Sequence, residues 1–278
     1  MFHWVEIALN NNPLRYNELS AFLNDQKFEN KVDFIETTEA DLQKNIEEII
    51  KKYDGIRIGR GLGEIILPYF VKRNVVVDHV RSADTILKLE NNWWLRANVI
   101  DGFIRVLSRV GDSFDLNSPV LVVGAGAAAR SAITSLFMLG FNEFVISNLD
   151  ISKAEAMVTS LRRINLGSKM SVVAKDDLIH LPGVYSILVN TTPMTKDNSM
   201  LAELYYFNFF KAGGLAIDFS IAPVDTPLLE GAKEIGAKRI YGYQVAAQTD
   251  LLWCEQITGR SFEGLEYEER LKARLLKG

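Results

Sequence analysis

The residues most suited to chemistry begin with Gly124-Ala125-Gly126-Ala127-Ala128-Ala129, which fits the spacing G-x-G-x-x-A. Such a run takes up a pyrophosphate by a tight turn at Gly124 and a close backbone approach at Gly126. A small residue at Ala129 lets the following helix lie against the strand, and that helix offers its free N–H groups to the phosphates. Asp150 stands 24 residues beyond Gly126, where an acid accepts hydrogen bonds from both ribose hydroxyls and repels a 2′-phosphate. Plainer uses exist for both: small residues serve simple strand–helix packing, and Asp150 or Ser152 can cap a helix. Asp101 offers a carboxylate for proton transfer or for helix capping. Arg57 and Arg60 border the glycine-rich Gly59-Arg60-Gly61-Leu62-Gly63. Together they could clamp a carboxylate or phosphate, although surface charge is the commoner role of such residues.

These residues need elements to hold them. Val5–Leu9 alternates like a strand and is broken by Asn10-Asn11-Asn12-Pro13. Thr38 is placed to cap a helix through Lys52, and 56–58 and 75–77 read as short strands. Thr85 to Asn98 suggests a hairpin turning at Asn91-Asn92, and Asp101 opens a helix to about Val110. The pattern changes near Gly111-Asp112-Ser113. Val120–Val123 is a near-continuous apolar run of the kind buried on both faces of a parallel sheet. Helices at 127–139 and 152–164 then alternate with strands at 143–146, 187–189 and 215–218, as in a doubly wound α/β sheet. Helices at about 243–257 and 266–276 close the chain, the last so charged that it reads as a solvated surface helix. The expected division is 1–110 as an α/β substrate-type domain, 111–242 as a Rossmann-like domain, and 243–278 as helices packing back on the first.

Composition narrows the classes. Of 278 residues, 48% are hydrophobic and 24% charged, as in an ordinary globular protein, which excludes disorder and collagen-like repeats. The net charge of −4, without a basic block, gives nucleic acid or an anionic membrane no footprint. One cysteine, Cys254, excludes an internal disulfide, and no Cys/His spacing suggests a metal site. No apolar run suits a membrane span or a signal peptide, so a cytoplasmic protein is expected. His3, His79 and His180 read as structural, Trp93 and Trp94 as packing or interface residues, and Tyr205–Phe210 as core or lid.

The order of these landmarks resembles the shikimate dehydrogenase family over nearly the whole chain. The family's G-A-G-G-A-x-R-A loop corresponds to Gly124–Ala132, including Arg130, and its N-R-T-x-x-K-A segment to Asn148–Ala154. Its N-x-T-P strand end corresponds to Asn190-Thr191-Thr192-Pro193, and its D-x-x-Y-x-P stretch to Asp218–Pro223. Gln248 and Thr258-Gly259 match its closing Q…T-G helix. The resemblance implies cofactor contacts from Gly124, Gly126, Ala127, Ala129, Arg130, Asn148, Asp150, Thr192, Ile221 and Gly242. Leu149 takes the place of the arginine that clamps a 2′-phosphate, and Asp150 follows it, so NAD is expected over NADP.

The substrate half departs from the family pattern. S-x-S-P falls on Asn10-Asn11-Asn12-Pro13, and the segment carrying the family lysine falls on Arg57–Gly63, with Gly63 at the lysine. Asp84 takes the place of an Asn, Asp101 and Gly102 keep the acid and glycine of N-T-D-G, and Ile221 replaces a tyrosine. The resemblance thus implies Asp101 as the catalytic residue, helped by Asp84 or a water, with Asn10, Asn12, Arg57, Arg60, Asp84 and Gln248 at the substrate. The leading expectation is an NAD-dependent oxidoreductase acting on a small hydroxy or oxo acid, as a monomer or homodimer. A non-catalytic nucleotide- or acid-binding relative is the alternative, and a plain shikimate dehydrogenase a third.

Overall fold

The computed structural model describes residues 1–110, 114–193, 204 and 207–277. The Gly111–Ser113 pattern change, Tyr205 and Tyr206 lie outside them. Contacts divide the chain into two compact units, Met1–Gly102 with Ala247–Gly278, and Phe103–Ala246. The sequence places the divisions near 110 and 242. In the structure they fall at 102/103 and 246/247, inside two helices, α4 (Asn98–Leu107) and α8 (Gly242–Thr258).

The first unit is built on five strands: β1 (Phe2–Ala8), β2 (Asn30–Glu36), β3 (Gly55–Ile58), β4 (Thr85–Leu89) and β5 (Asn92–Arg96). Their order is β2-β1-β3-β4-β5, with β1 parallel to both neighbours and β4 and β5 antiparallel. The apparent alternation of β1 does not produce a wet face, because Trp4 through Ala8 are all buried, Glu6 included. The break at Asn10–Pro13 is a helix start: α1 (Pro13–Asp25) has Pro13 in its first turn and Asn12 Oδ1 accepting from Arg15 N at 3.2 Å. Sequence periodicity missed this helix and β2 after it.

Two further expectations change in this unit. The second helix, α2 (Leu42–Lys52), starts after Asp41, while Thr38 sits one turn earlier and exchanges hydrogen bonds with Asp41. Val75–Val77 lies in a short helix, α3 (Val75–Val80), because Asn74 accepts from Val77 N and the cap outweighs the β-branched run. The hairpin turns at Glu90 and Asn91, both with positive φ, in the two-residue form that matches strand twist. The terminal helix α9 (Gly264–Leu275) is only half a surface helix. Tyr267, Glu268 and Leu271 are buried, and it lies against α1.

The second unit holds six parallel strands: β6 (Val120–Val123), β7 (Glu143–Ser147), β8 (Lys169–Val173), β9 (Tyr185–Asn190), β10 (Phe210–Asp218) and β11 (Lys238–Tyr241). The crossovers include α5 (Ala127–Met138), α6 (Ile151–Arg162) and α7 (Pro227–Glu234). The sheet order β11-β10-β9-β6-β7-β8 is that of two mononucleotide-binding halves meeting at β6 and β9. All four β6 residues are fully buried, as a continuous apolar run in a central parallel strand must be. Phe207 and Phe209 lie in the core beside Leu121, Leu188 and Leu228, so the described part of the aromatic stretch is core.

Candidate functional site

The glycine loop leaves β6 where the strand order reverses, and the end of β9 lies beside it with Val123 opposite Asn190. Gly124 has φ +116°, and a Cβ there would overlap Thr191 Oγ1, so only glycine makes this turn. Thr191 in turn donates to Val123 O through both its N–H and its Oγ1, each at 2.8 Å, locking the two strand ends together. Gly126 is the N-cap of α5, has no side chain to cap the helix, and would point a Cβ into open space. No acid occupies the first turn of α5. Arg130 Nε, one turn in, is buried without a hydrogen-bond partner among the described residues. Ala129 is fully buried, as close packing of this helix requires. A positive helix end, a cradle free of side chains and an orphaned guanidinium nitrogen together fit a dinucleotide's phosphates.

The neighbouring strand ends supply the rest of the expected cofactor set. Asn148 and Asp150 follow β7. Asp150 is half-exposed and caps α6 through Lys153 N at 3.2 Å, which leaves its other oxygen turned toward solvent and Lys153 Nζ. Thr192 follows β9 and is held by Asn190, whose Oδ1 accepts from both Thr192 N and Thr192 Oγ1. Buried Asp218, at the end of β10, accepts from Asn190 Nδ2, Thr226 Oγ1 and Ser220 N, fixing the loop that carries Ile221. Gly242 begins α8 so close to that loop that a Cβ would overlap Ser220 O. Gly242 therefore acts through packing of the Ile221 loop.

In the first unit the structure sorts the six expected substrate residues into two groups. Asn10 and Arg60 are exposed and meet in a backbone bridge, with Leu9 N donating to Arg60 O at 3.0 Å. Asn12 lies beside them as the cap of α1. Asp84 is half-buried, with Oδ2 accepting from Val99 N (2.8 Å) at the start of α4 and Oδ1 accepting from Thr85 Oγ1 (2.7 Å). Asp101 is exposed in the first turn of that same helix. It does not cap α4, which begins at Asn98. At Gly63, where the resemblance expects a lysine, a Cβ would stand 2.5 Å from Ser82 Oγ and 3.1 Å from Ala83 O.

Arg57 and Gln248 do not join this rim. Arg57 is 1% exposed, donates to Thr85 Oγ1 (2.6 Å) and Asp250 Oδ1 (3.0 Å), and lies between the rings of Tyr16 and Trp253. It cannot share an exposed anion with Arg60. Gln248 is also buried, and its Nε2 donates to Glu268 Oε1 at 2.6 Å, so it joins α8 to α9. The sequence does not foresee either burial, because spacing gives a position along the chain and not the direction of a side chain.

Sequence reasoning also missed two acids. Asp250, fully buried on α8, receives a two-pronged hydrogen bond from Arg15 (2.8 and 2.7 Å) and further bonds from Arg57 and the Tyr267 hydroxyl. Glu6, opposite Arg57 on β1, accepts from Asn12 N at 2.8 Å. Its Oε1 fills the space a side chain at Gly59 would need. Burial lifts the Glu6 carboxyl to about 7, against the Asn12 N–H and the charges of Arg15 and Arg57. An acid inside an apolar strand directly before a polar break was the one signal available for Glu6.

The fold and the loop define a Rossmann-type α/β architecture. The chain is 26% identical over 179 residues to the shikimate dehydrogenase (NADP(+)) of Lysinibacillus sphaericus, covering 64% of this chain and spanning 62% of that relative's length. Among solved structures it is similar to shikimate 5-dehydrogenase from Thermus thermophilus in complex with shikimate (TM-score 0.83, 22% identity, 99% of each chain). It is also similar to quinate dehydrogenase from Corynebacterium glutamicum in complex with NAD (TM-score 0.84, 16% identity, 98% and 99% covered). No protein-family model matches the chain. By sequence and fold together, the chain is similar to the shikimate dehydrogenase-like family. No helix among the described residues is long and apolar enough to cross a membrane.

Proposed function

We propose that this protein is a pyridine-nucleotide-dependent oxidoreductase acting on a small hydroxy or oxo acid of the shikimate type, with NAD preferred over NADP. The observation that carries the reading is the open end of α5: Gly126 faces empty space, no side chain caps the helix, and buried Arg130 Nε lacks a partner. When bound there, a nicotinamide cofactor would supply the hydride chemistry. Gly124, Gly126, Ala127 and Arg130 would hold the phosphates, Asn148 and Asp150 the adenosine ribose, and Thr192 and Ile221 the nicotinamide side. Leu149 brings no cation to a 2′-phosphate and Asp150 opposes one, which supports NAD. The curated relatives are named for NADP, so this preference rests on Leu149 and Asp150 alone. On the substrate side, Asn10, Asn12 and Arg60 offer donors to a carboxylate, and exposed Asp101 holds or releases the hydroxyl proton.

A second reading has its own support. Arg57 and Gln248, both expected at the substrate, are spent on interior contacts. A non-catalytic binder of a nucleotide or small acid needs no further groups. Calorimetric titration with NAD and NADP, followed by turnover of shikimate and quinate with the tighter cofactor, separates the readings. The oxidoreductase reading expects NAD to bind at least about tenfold more tightly, as a repelled charge predicts, and a substrate-dependent rise in reduced cofactor. NAD binding without turnover of hydroxy acids favours the binder. No binding of either nucleotide overturns both cofactor assignments.

A further inference from the structure

Glu6 stands out as a buried acid that no ion pair explains. It is 1% exposed and accepts a hydrogen bond from Asn12 N, and no cation lies within ion-pair distance among the described residues. The charged and titratable groups facing it come from three elements: Arg15 and Tyr16 on α1, Arg57 on β3, and Asp250 on α8. The two guanidiniums are already matched. Asp250 binds both, and Asp84 stands 4.0 Å from Arg57. An ionised Glu6 would be a third carboxylate against two cations, in an interior where unbalanced charge is costly. A neutral Glu6 completes a neutral cluster.

The position of this acid gives it a consequence. Its Oε2 receives the backbone N–H of Asn12, and its Oε1 occupies the recess left by the missing side chain of Gly59. These two segments, Asn10–Asn12 and Gly59–Arg60, form the exposed rim joined by the Asn10–Arg60 bridge. We propose that Glu6 is a proton-carrying positioning residue that ties anion capture at this rim to protonation: Glu6 accepts the Asn12 N–H in either form, and only ionised Glu6 sets a negative charge beneath the rim. A carboxylate ligand at the rim then takes up a proton with it near neutral pH, and its affinity falls as Glu6 ionises. Burial holds the Glu6 proton to about pH 7, within the range where such coupling matters.

The first test needs no ligand. The Asn12 backbone amide shift, followed by nitrogen-15 NMR from pH 5.5 to 8.5, is expected to titrate once in the native protein and to be flat in Glu6→Gln, which keeps the acceptor but cannot ionise. Carbon-13 labelling of glutamate carboxyls follows Glu6 itself in the unmodified protein should the variant fold poorly. A flat Asn12 amide with Glu6 ionised throughout the range overturns the proposal, as does an Asn12 titration that persists in Glu6→Gln. The second test rests on the substrate reading above and uses shikimate, whose carboxylate stays ionised over this range. Its affinity is expected to weaken about tenfold between pH 6 and 8.5 in the native protein and to stay level in Glu6→Gln. Equal pH dependence in both overturns the coupling. Failure of shikimate to bind at any pH, with the Asn12 titration intact, overturns the substrate assignment and leaves the rim role of Glu6 standing.

Discussion

Two arginines three residues apart have opposite environments, and that contrast decides what their removal does. Arg57 is locked between Thr85, Asp250 and two aromatic rings, so Arg57→Ala leaves Asp250 short of a partner inside the protein. Its expected cost is about 3–5 kcal/mol of stability, the penalty for breaking a buried pair, read as a lowered midpoint in urea. Arg60 is exposed, so Arg60→Ala is expected to leave stability within about 0.5 kcal/mol while weakening a bound carboxylate. A like loss of stability in both variants contradicts this division. Asp101, exposed on the first turn of α4, belongs to the same scale. Asp101→Asn is expected to cut turnover by about 10²–10⁴-fold, the usual worth of a proton-transfer group, with nucleotide affinity unchanged. Unaltered turnover removes Asp101 from the chemistry.

At the scale of elements, the β6–α5 turn depends on one glycine. Gly124→Ala places a side chain at φ +116° and against Thr191 Oγ1, which also tethers the end of β9. A loss of at least about 2 kcal/mol is expected from backbone strain and displacement together. Nucleotide affinity should fall with it, because the strand ends that flank the phosphates are separated. Unchanged melting and affinity would show that the turn relaxes freely. The α8–α9 contact makes the opposite case. Gln248→Ala removes a short hydrogen bond to buried Glu268, at an expected cost of about 1–3 kcal/mol. Affinity for shikimate should not change. A selective loss of affinity would instead return Gln248 to the substrate.

For the whole molecule, buried charge makes stability depend on pH in a definite direction. Glu6 holds its proton to about 7 in the folded chain, against 4.5 for an ordinary glutamate. Between these values the folded state binds the extra proton, so the Glu6 contribution is full below about pH 4.5 and is lost as pH rises through 7. The amount is on the order of 3 kcal/mol. Melting temperature is therefore expected to fall from pH 5 to 8, and Glu6→Gln to flatten that slope and to melt higher than the native protein at pH 8. Asp33 acts in the reverse sense. Burial is the largest single influence and raises it, but the hydrogen bonds from Tyr53, His3 and Lys31 together prevail and hold it at about 2. Its contribution is present above the ordinary aspartate range and disappears as pH falls toward 2.

Much of the second unit was legible in the sequence because its signals are local. A continuous apolar run specifies a strand buried on both faces, G-x-G-x-x-A specifies the turn after it, and a small residue at Ala129 specifies the helix seat. Those features depend on backbone reach and residue size, which neighbours in sequence determine. The first unit was legible only in outline. Asn10–Pro13 reads equally as a loop or as the cap of α1, and Val75–Val77 equally as a strand or as a capped turn. Which side chains reach the rim was decided by tertiary structure alone. Arg57 and Gln248 turn inward because Asp250 and Glu268, distant in the chain, offer them buried carboxylates. Glu6 becomes a candidate because α1, β3 and α8 converge on it from positions up to 244 residues away. Charge burial is a property of the assembled interior, and no window of sequence contains it.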